Sequence, residues 1–457
     1  MDKFAIILAA GKGTRMKSSV PKVLHKVAGR AMVDHVLTNV EASGSTKNVV
    51  VIGHGSDLVE AELAGRAEFV LQAEQLGTGH AVIIAEPALK GRVGLTLIIA
   101  GDTPLIDEAA IEKLFADHVA SGNKATILTA EAPNPTGYGR IIRDADGQVL
   151  RIVEQKDGSA DELAVREINT GTFVFDNIEL FDALDKIGND NAQGEYYLTD
   201  AIEIIRLNGG GVGASVMADF ADSLGVNDRV ALNQAEELMQ AKLRRKHMIN
   251  GVTFTGTPYL ESDVVIGNDT IIEGNVALRG ATVIGSNSVV TSGSDLTNAK
   301  VGSGVTITSS HIENAIVEDG VDMGPWAHIR PGSIIRESVH LGNFIETNRS
   351  EVGARTKAGH FAYMGDVVIG EDCNVSCGVT FANFDGKFKH KSAVGDRVFI
   401  GSESTIINPV TIGDDAFVAG DSIVTEDVPA HAMAIGRARQ TNKEGYADKL
   451  NYRLNFE

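Results

Sequence analysis

Along the first half of the chain, continuous apolar runs alternate with segments of helical spacing. Phe4-Ala5-Ile6-Ile7-Leu8, Val49-Val50-Val51-Ile52, Leu95-Thr96-Leu97-Ile98-Ile99 and Ala125-Thr126-Ile127-Leu128 read as strands buried on both faces. Ile111-Glu112-Lys113-Leu114-Phe115, between two of them, carries helical spacing. Such alternation, broken by short Gly and Asp turns, predicts a doubly wound α/β domain over residues 1–228. Leu232, Ala235, Leu238, Met239, Leu243 and Met248 then recur among charges at roughly helical spacing. Residues 229–250 are therefore expected to form one amphipathic connecting helix.

Over residues 251–457 the period changes to six. Ile266, Ile272, Leu278, Ile284, Val290 and Leu296 form one series, Val317, Met323, Ile329, Ile335 and Leu341 a second, and Val394, Ile400, Ile406, Ile412, Val418 and Val424 a third. A six-residue repeat predicts a parallel β-helix, each hexad giving a short strand and one turn of a triangular prism. The repeated aliphatic points inward and stacks on its counterpart one coil away. A prism used only for assembly would show the same period, since fold alone does not fix function.

Composition narrows the setting. The 457 residues exceed the about 250–300 that a single core sustains, so two or three domains are expected. A net charge of −20 argues against nonspecific nucleic-acid or anionic-membrane partners. Cys373 and Cys377 cannot staple a chain this long and complete no zinc spacing, which suits buried thiols in a reducing compartment. The first strand leaves no room for a signal peptide, and no long apolar stretch occurs. A soluble cytoplasmic protein is the expectation.

The first strand breaks at Leu8-Ala9-Ala10-Gly11-Lys12-Gly13-Thr14-Arg15-Met16, followed by Pro21-Lys22. Two glycines admit a close ligand, and Lys12, Arg15 and Lys22 with the loop's N–H groups form an anion cradle, most suited to a polyphosphate. A Walker A loop is excluded because Ile6 stands where its first glycine belongs, and the dinucleotide fingerprint because Met16 holds its third glycine position. The nine residues resemble the signature of sugar-nucleotide pyrophosphorylases. In-line transfer at phosphorus needs positioning and charge neutralisation, which a divalent cation assists. Asp102, after the third apolar run, is the best candidate ligand for that ion, and Asn227 offers a second oxygen. Spacing does not bring the two together; the resemblance implies that they meet around Mg2+.

The resemblance extends further. Gln72 and Gln75-Leu76-Gly77-Thr78-Gly79-His80-Ala81 resemble the uracil-reading segment of uridylyltransferases, which places Leu8, Ala9, Gly11, Lys12, Gly13, Gln72, Gly77 and Thr78 about UTP. Gly137-Tyr138-Gly139-Arg140, Glu154 and Glu167-Ile168-Asn169-Thr170-Gly171 match segments around the sugar, implying that Gly139, Glu154 and Asn169 hold N-acetylglucosamine 1-phosphate. Taken alone, Glu154 reads as a solvated charge.

In the second half the hexads break between about Phe381 and Ser392 around Ala382-Asn383-Phe384-Asp385-Gly386-Lys387-Phe388-Lys389-His390-Lys391, just after Lys357-Ala358-Gly359-His360-Phe361-Ala362-Tyr363. Polar insertions into a regular prism are where binding concentrates. Acyl transfer to an amine needs a base, and histidine titrates in a suitable range. With Gln440-Thr441-Asn442-Lys443-Glu444-Gly445 near the end, nearly the whole chain resembles the bacterial bifunctional family that pairs a uridylyltransferase with a left-handed β-helix glucosamine-1-phosphate acetyltransferase.

That resemblance implies His360 as general base, with Arg330, Tyr363, Asn374 and Lys389 on glucosamine 1-phosphate. It implies Asn383, Phe384, Ser402, Gly420 and Arg437 at acetyl-CoA, shared between subunits of a homotrimer. Three positions depart from the family: Asn348 replaces a usual Lys, Phe384 a common Tyr and Ala100 a Tyr, which bears on affinity more than on reaction. Two rival expectations are a single-function pyrophosphorylase whose β-helix only assembles or regulates, and a catalytically inactive regulatory subunit.

Overall fold

The computed structural model describes residues 1–450. The chain divides into two compact units, Met1–Leu243 and Arg244–Glu457. Among the described residues no helix is long and apolar enough to cross a membrane.

The first unit is built on a mixed sheet. Lys3–Ala9 lies at its centre, parallel to Leu95–Ala100 on one side and Lys47–Ile52 on the other. Both faces of these strands are covered, with Ile6, Val49 and Ile98 in one apolar layer and Ile7, Val50 and Ile99 in the other. That double burial is why the strands read as unbroken apolar runs. The sheet departs from an all-parallel pattern at Glu167–Asp176, which runs antiparallel to both Leu95–Ala100 and Ala125–Glu131, and at the antiparallel pair Arg140–Arg143 and Val149–Val153. The register of Glu167–Asp176 slips between Asn169 and Thr172, a bulge that bends the strand at the segment expected, by resemblance, to bind the sugar.

Three loops follow the carboxyl ends of the central parallel strands and converge there. Gly101 N–H donates to Leu8 O at 2.9 Å, and a Cβ on Gly53 would lie 2.5 Å from Ala10 O. Ligands in open α/β sheets bind at this edge.

A single helix, Arg229–Ile249, begins in this unit. Asp228 caps it, its Oδ1 accepting from Val230 and Ala231 N–H at 3.0 and 2.9 Å. Its stripe of Ala231, Leu232, Ala235, Leu238 and Met239 packs with Val27, Met32, Leu105 and Val226. The cap and stripe together fix the position of Asn227, one residue before the cap.

The second unit is a left-handed parallel β-helix with three ladders of short strands. One runs Val265, Val283, Lys300, Ile316 and Ile334; a second Ile271, Val289, Thr306, Asp322 and His340; a third Ala277, Asp295, His311, His328 and Glu346. Each rung is one coil, three hexads or about 18 residues. Every aliphatic of the three six-residue series is buried. Ile329→Ala, inside the prism, is expected to cost about 2–5 kcal/mol, read as a lower urea midpoint of the β-helix transition. An unchanged midpoint would mean that Ile329 does not contribute to the core as its burial indicates.

The first ladder steps from Val368 to Ala393 across one long coil. The extra residues are the loop beyond Phe381. Asn408 ties it down, its Nδ2 donating to His390 O at 3.1 Å and to Gly365 O and Asp366 O at 3.4 Å. Of the two cysteines, Cys373 is buried and Cys377 half-buried, and both are free thiols.

Candidate active sites

In the first unit, Leu8, Ala9, Ala10, Gly11, Lys22, Gln72, Gln75, Gly77, Thr78 and Asp102 line a cavity of about 270 Å3 at the carboxyl edge of the sheet. Gly13 adopts φ 57°, and a Cβ there would lie 2.6 Å from Lys22 Cβ. This glycine lets the loop close onto Lys22, whereas a Cβ on Gly11 would meet nothing within 4 Å. Lys12 and Arg15 are exposed on the loop.

Lys22 organises the polar end of the cavity. Its Nζ pairs with Asp102 Oδ2 and donates to Asn227 Oδ1 at 3.3 Å, while Arg15 Nη2 donates to the same Asn227 oxygen at 2.8 Å. Val226 N–H, donating to Asp102 O at 2.9 Å, joins the two segments. Asp102 and Asn227, far apart in sequence, thus present their oxygens to one cation. Hard carboxylate and amide oxygens suit Mg2+, so the donor set fits that ion.

Gln72 is buried, and its Nε2 is held by Gly77 O at 3.2 Å and His80 Nδ1 at 3.1 Å. The amide oxygen has no protein partner among the described residues, which leaves an acceptor for a base N–H. Gly77 takes φ 111°; a Cβ would collide with Tyr196 O at 2.5 Å. Thr78 Oγ1 accepts from Leu198 N–H at 3.2 Å. The segment Glu195–Thr199 was not legible in the sequence, yet Glu195 lines the Gln72 cavity while Tyr197 and Thr199 line a second one with Glu154.

Asn169 N–H donates to Gly139 O at 2.9 Å, and a Cβ on Gly139 would lie 3.3 Å from Glu154 Oε1. Gly139, Glu154 and Asn169 are therefore neighbours. Burial pushes the Glu154 carboxyl above its ordinary range, opposed by a hydrogen bond from Thr199 Oγ1 at 3.4 Å. A carboxyl raised in the folded state contributes stability below its unfolded pKa and loses it as pH rises through the folded value. Glu154→Gln is accordingly expected to gain stability over the parent at pH 8, with the gap narrowing toward pH 4. Melting curves across that range check it, and a gap that widened on acidification would contradict it.

In the second unit, His360 and Tyr363 lie on Lys357–Gly365. His360 pairs in register with Asn343 of the preceding coil, and its Nδ1 is 2.9 Å from Asn343 Oδ1. Arg330 Nη1 donates to Glu346 Oε1 at 2.8 Å, and Glu346 pairs with Tyr363, so Arg330 and Tyr363 flank one carboxylate. Asn383 is buried, with its Nδ2 donating to Asp366 and, at 3.5 Å, to Tyr363 Oη. The Arg349 guanidinium, bidentate at 2.7 Å, holds Asp366 below the usual carboxylate range, aided by Asn383. Asn348 lies beside this network, accepting from Arg349 Nη1 at 3.2 Å.

Phe384 and Lys389 bridge each other at the base of the exposed loop tip. Asp385 closes the tip by accepting from the N–H groups of Lys387 and Phe388 at 2.7 and 2.6 Å and pairing with His390 at 2.7 Å, which holds its carboxyl down at about 2. Ser402, Gly420 and Arg437 form a separate corner: Arg437 Nη1 donates to Gly420 O at 2.8 Å, and a Cβ on Gly420 would lie 3.3 Å from Ser402 O. Asn374 pairs with Lys357 and Phe399, at the opposite end of the His360 strand from Tyr363. Sequence reasoning did not reach Asn343, Glu346 or Asp366, whose partners lie one coil away.

The fold and the anion loop define a nucleotidyl transferase continued by a hexapeptide β-helix, and residues 4–220 match the nucleotidyl transferase family. The chain is 55% identical over 98% of its length to the bifunctional protein GlmU of Lactobacillus delbrueckii subsp. bulgaricus, covering 98% of that protein. It is 55% identical over 99% of its length to the GlmU of Streptococcus suis, and 53% identical over 98% to that of Streptococcus thermophilus, covering 98% of each. The chain belongs to the GlmU family of bifunctional proteins.

Proposed function

We propose that the chain acetylates glucosamine 1-phosphate with acetyl-CoA and then joins the product to UMP from UTP, giving UDP-N-acetylglucosamine and pyrophosphate. What carries this reading is the presence in one chain of two constellations, the Asp102–Lys22–Asn227 cluster and the oriented His360.

In the first unit, Gln72 and Gly77 hold uracil while Gly139, Glu154 and Asn169 hold the sugar. The sugar phosphate attacks the α-phosphorus of UTP and pyrophosphate leaves, so no proton has to move. Lys12, Arg15 and Lys22 offset the charge on the phosphates. Mg2+, when held by Asp102 and Asn227, adds further charge neutralisation. With the cradle filled, Lys22 is released from Asp102 toward phosphate oxygens.

In the second unit, Asn343 Oδ1 accepts from His360 Nδ1, so the proton sits on Nδ1 and Nε2 keeps its lone pair. Nε2 takes the proton from the sugar amine as it attacks the thioester carbonyl and passes it to the departing sulfur, so coenzyme A leaves as the thiol. Arg330, Tyr363, Asn374 and Lys389 bind the sugar phosphate; Asn383, Phe384, Ser402, Gly420 and Arg437 bind acetyl-CoA.

The enzyme works in the cytoplasm as a homotrimer. The exposed stack Trp326–Phe344–Phe361, with ring centroids 5.1 and 4.8 Å apart, supplies apolar surface beside His360. A monomeric mass in solution at working concentration would overturn the trimer. The decisive assay supplies glucosamine 1-phosphate, acetyl-CoA, UTP and Mg2+ and follows thiol and pyrophosphate together. Both are expected, pyrophosphate only after thiol; no thiol release would reduce the protein to a pyrophosphorylase with a structural prism.

A further inference from the structure

One group on the β-helix is unlike its neighbours and takes no part in either reaction. His311 and Glu313 alternate with buried Ile312 on one short strand, so both side chains point outward. His328 stands in register with His311 one coil further on. Each of the three offers a donor atom within 4.8 Å of the others, the one such His, Cys, Asp or Glu group among the described residues. His311 Nε2 already lies 2.6 Å from Glu313 Oε1, and the two imidazoles sit edge to face at 5.2 Å.

We propose that His311, Glu313 and His328 form a surface site for one divalent transition-metal ion of the zinc class. Two imidazoles and a carboxylate suit Zn2+ or its borderline neighbours, whereas Mg2+ prefers oxygen donors throughout. Zinc bonds of about 2.0–2.1 Å place tetrahedral ligands about 3.4 Å apart, so the three side chains must draw together modestly. Rotamer changes achieve this because His311 and Glu313 are half-exposed, and parallel coils hold their backbones at fixed spacing. The remaining coordination positions face solvent and take water.

Charge on either side does not oppose a cation. Asp295 is the rung before His311 and Glu346 the rung after His328. Each already engages one guanidinium: Arg279 at 3.2 Å and Arg330 at 2.8 Å. The two arginines are thereby balanced.

The test uses the full-length protein stripped with a chelator and titrated with Zn2+ by calorimetry, with Co2+ absorption as a second readout of nitrogen ligation. The His311→Ala/His328→Ala double variant is expected to bind one Zn2+ fewer per chain than the parent. His311→Gln and His328→Gln, which keep polar side chains, are each expected to weaken that binding about tenfold or more. Zn2+ is expected to raise the melting temperature of the β-helix in the parent and not in the double variant. Should the double variant prove unfolded, the two Gln variants carry the comparison. Equal Zn2+ stoichiometry and affinity in the parent and both Gln variants would overturn the proposal, as would a parent that takes up no Zn2+ beyond that bound through Asp102.

Discussion

His360→Ala is expected to lower acetyl transfer by about 10²–10⁴-fold, the range over which a positioned general base contributes, while pyrophosphate release from preformed N-acetylglucosamine 1-phosphate stays at the parent rate. His360 is exposed and stands on the rigid strand Lys357–Gly365, so truncation opens no core cavity. The 2.9 Å contact with Asn343 makes a second, graded expectation. Asn343→Ala keeps the base but releases its tautomer and ring orientation, so its loss should be smaller and should fall on kcat more than on KM. Thiol release with glucosamine 1-phosphate reads both variants. A His360→Ala protein that acetylates normally would remove the histidine from the reaction.

Asp102→Ala is expected to do the converse, slowing pyrophosphate release by about 10³-fold and sparing thiol release. Removing the carboxylate deletes a metal donor and also frees Lys22 from its ion pair. Asp102→Asn separates these effects, since it keeps the side chain's shape and one oxygen while removing the charge. If charge at Asp102 governs the step, Asp102→Asn should fall close to Asp102→Ala, and raising Mg2+ should recover part of its rate. Parent-like rates in Asp102→Ala at ordinary Mg2+ would refute the assignment. An equal loss of both activities in a folded variant would refute the separation of the two sites.

The extent to which the sequence foretold the molecule follows the physics of each element. The prism was legible because every sixth aliphatic had to be buried, and each one is. The central strands were legible because apolar layers cover both their faces. The antiparallel direction of Glu167–Asp176 was not, since a buried strand has the same composition in either direction. The loop glycines and cations raised the expectation of an anion, but the meeting of Asp102 with Asn227 depends on Val226 N–H and the helix cap at Asp228. Asn343 and Glu346 escaped notice because their significance lies in register, one coil from His360 and Tyr363. Gly139, Glu154 and Asn169 were recognisable by resemblance, whereas the half-buried state of Glu154 ran against its reading as a solvated charge.

The long coil between Val368 and Ala393 bears on how this unit folds. Elsewhere each rung is closed by a chain of nearly constant length, so an all-β body is assembled from contacts that are near in sequence. Such a body can nucleate on a few coils and extend like a zipper, faster than a sandwich of comparable size. Only the rungs that span the insertion, Val368 to Ala393, Asn374 to Phe399 and Thr380 to Thr405, must close a longer loop, and closure entropy grows slowly with length. The loop carrying Asn383 and Lys389 therefore costs the growing prism little speed.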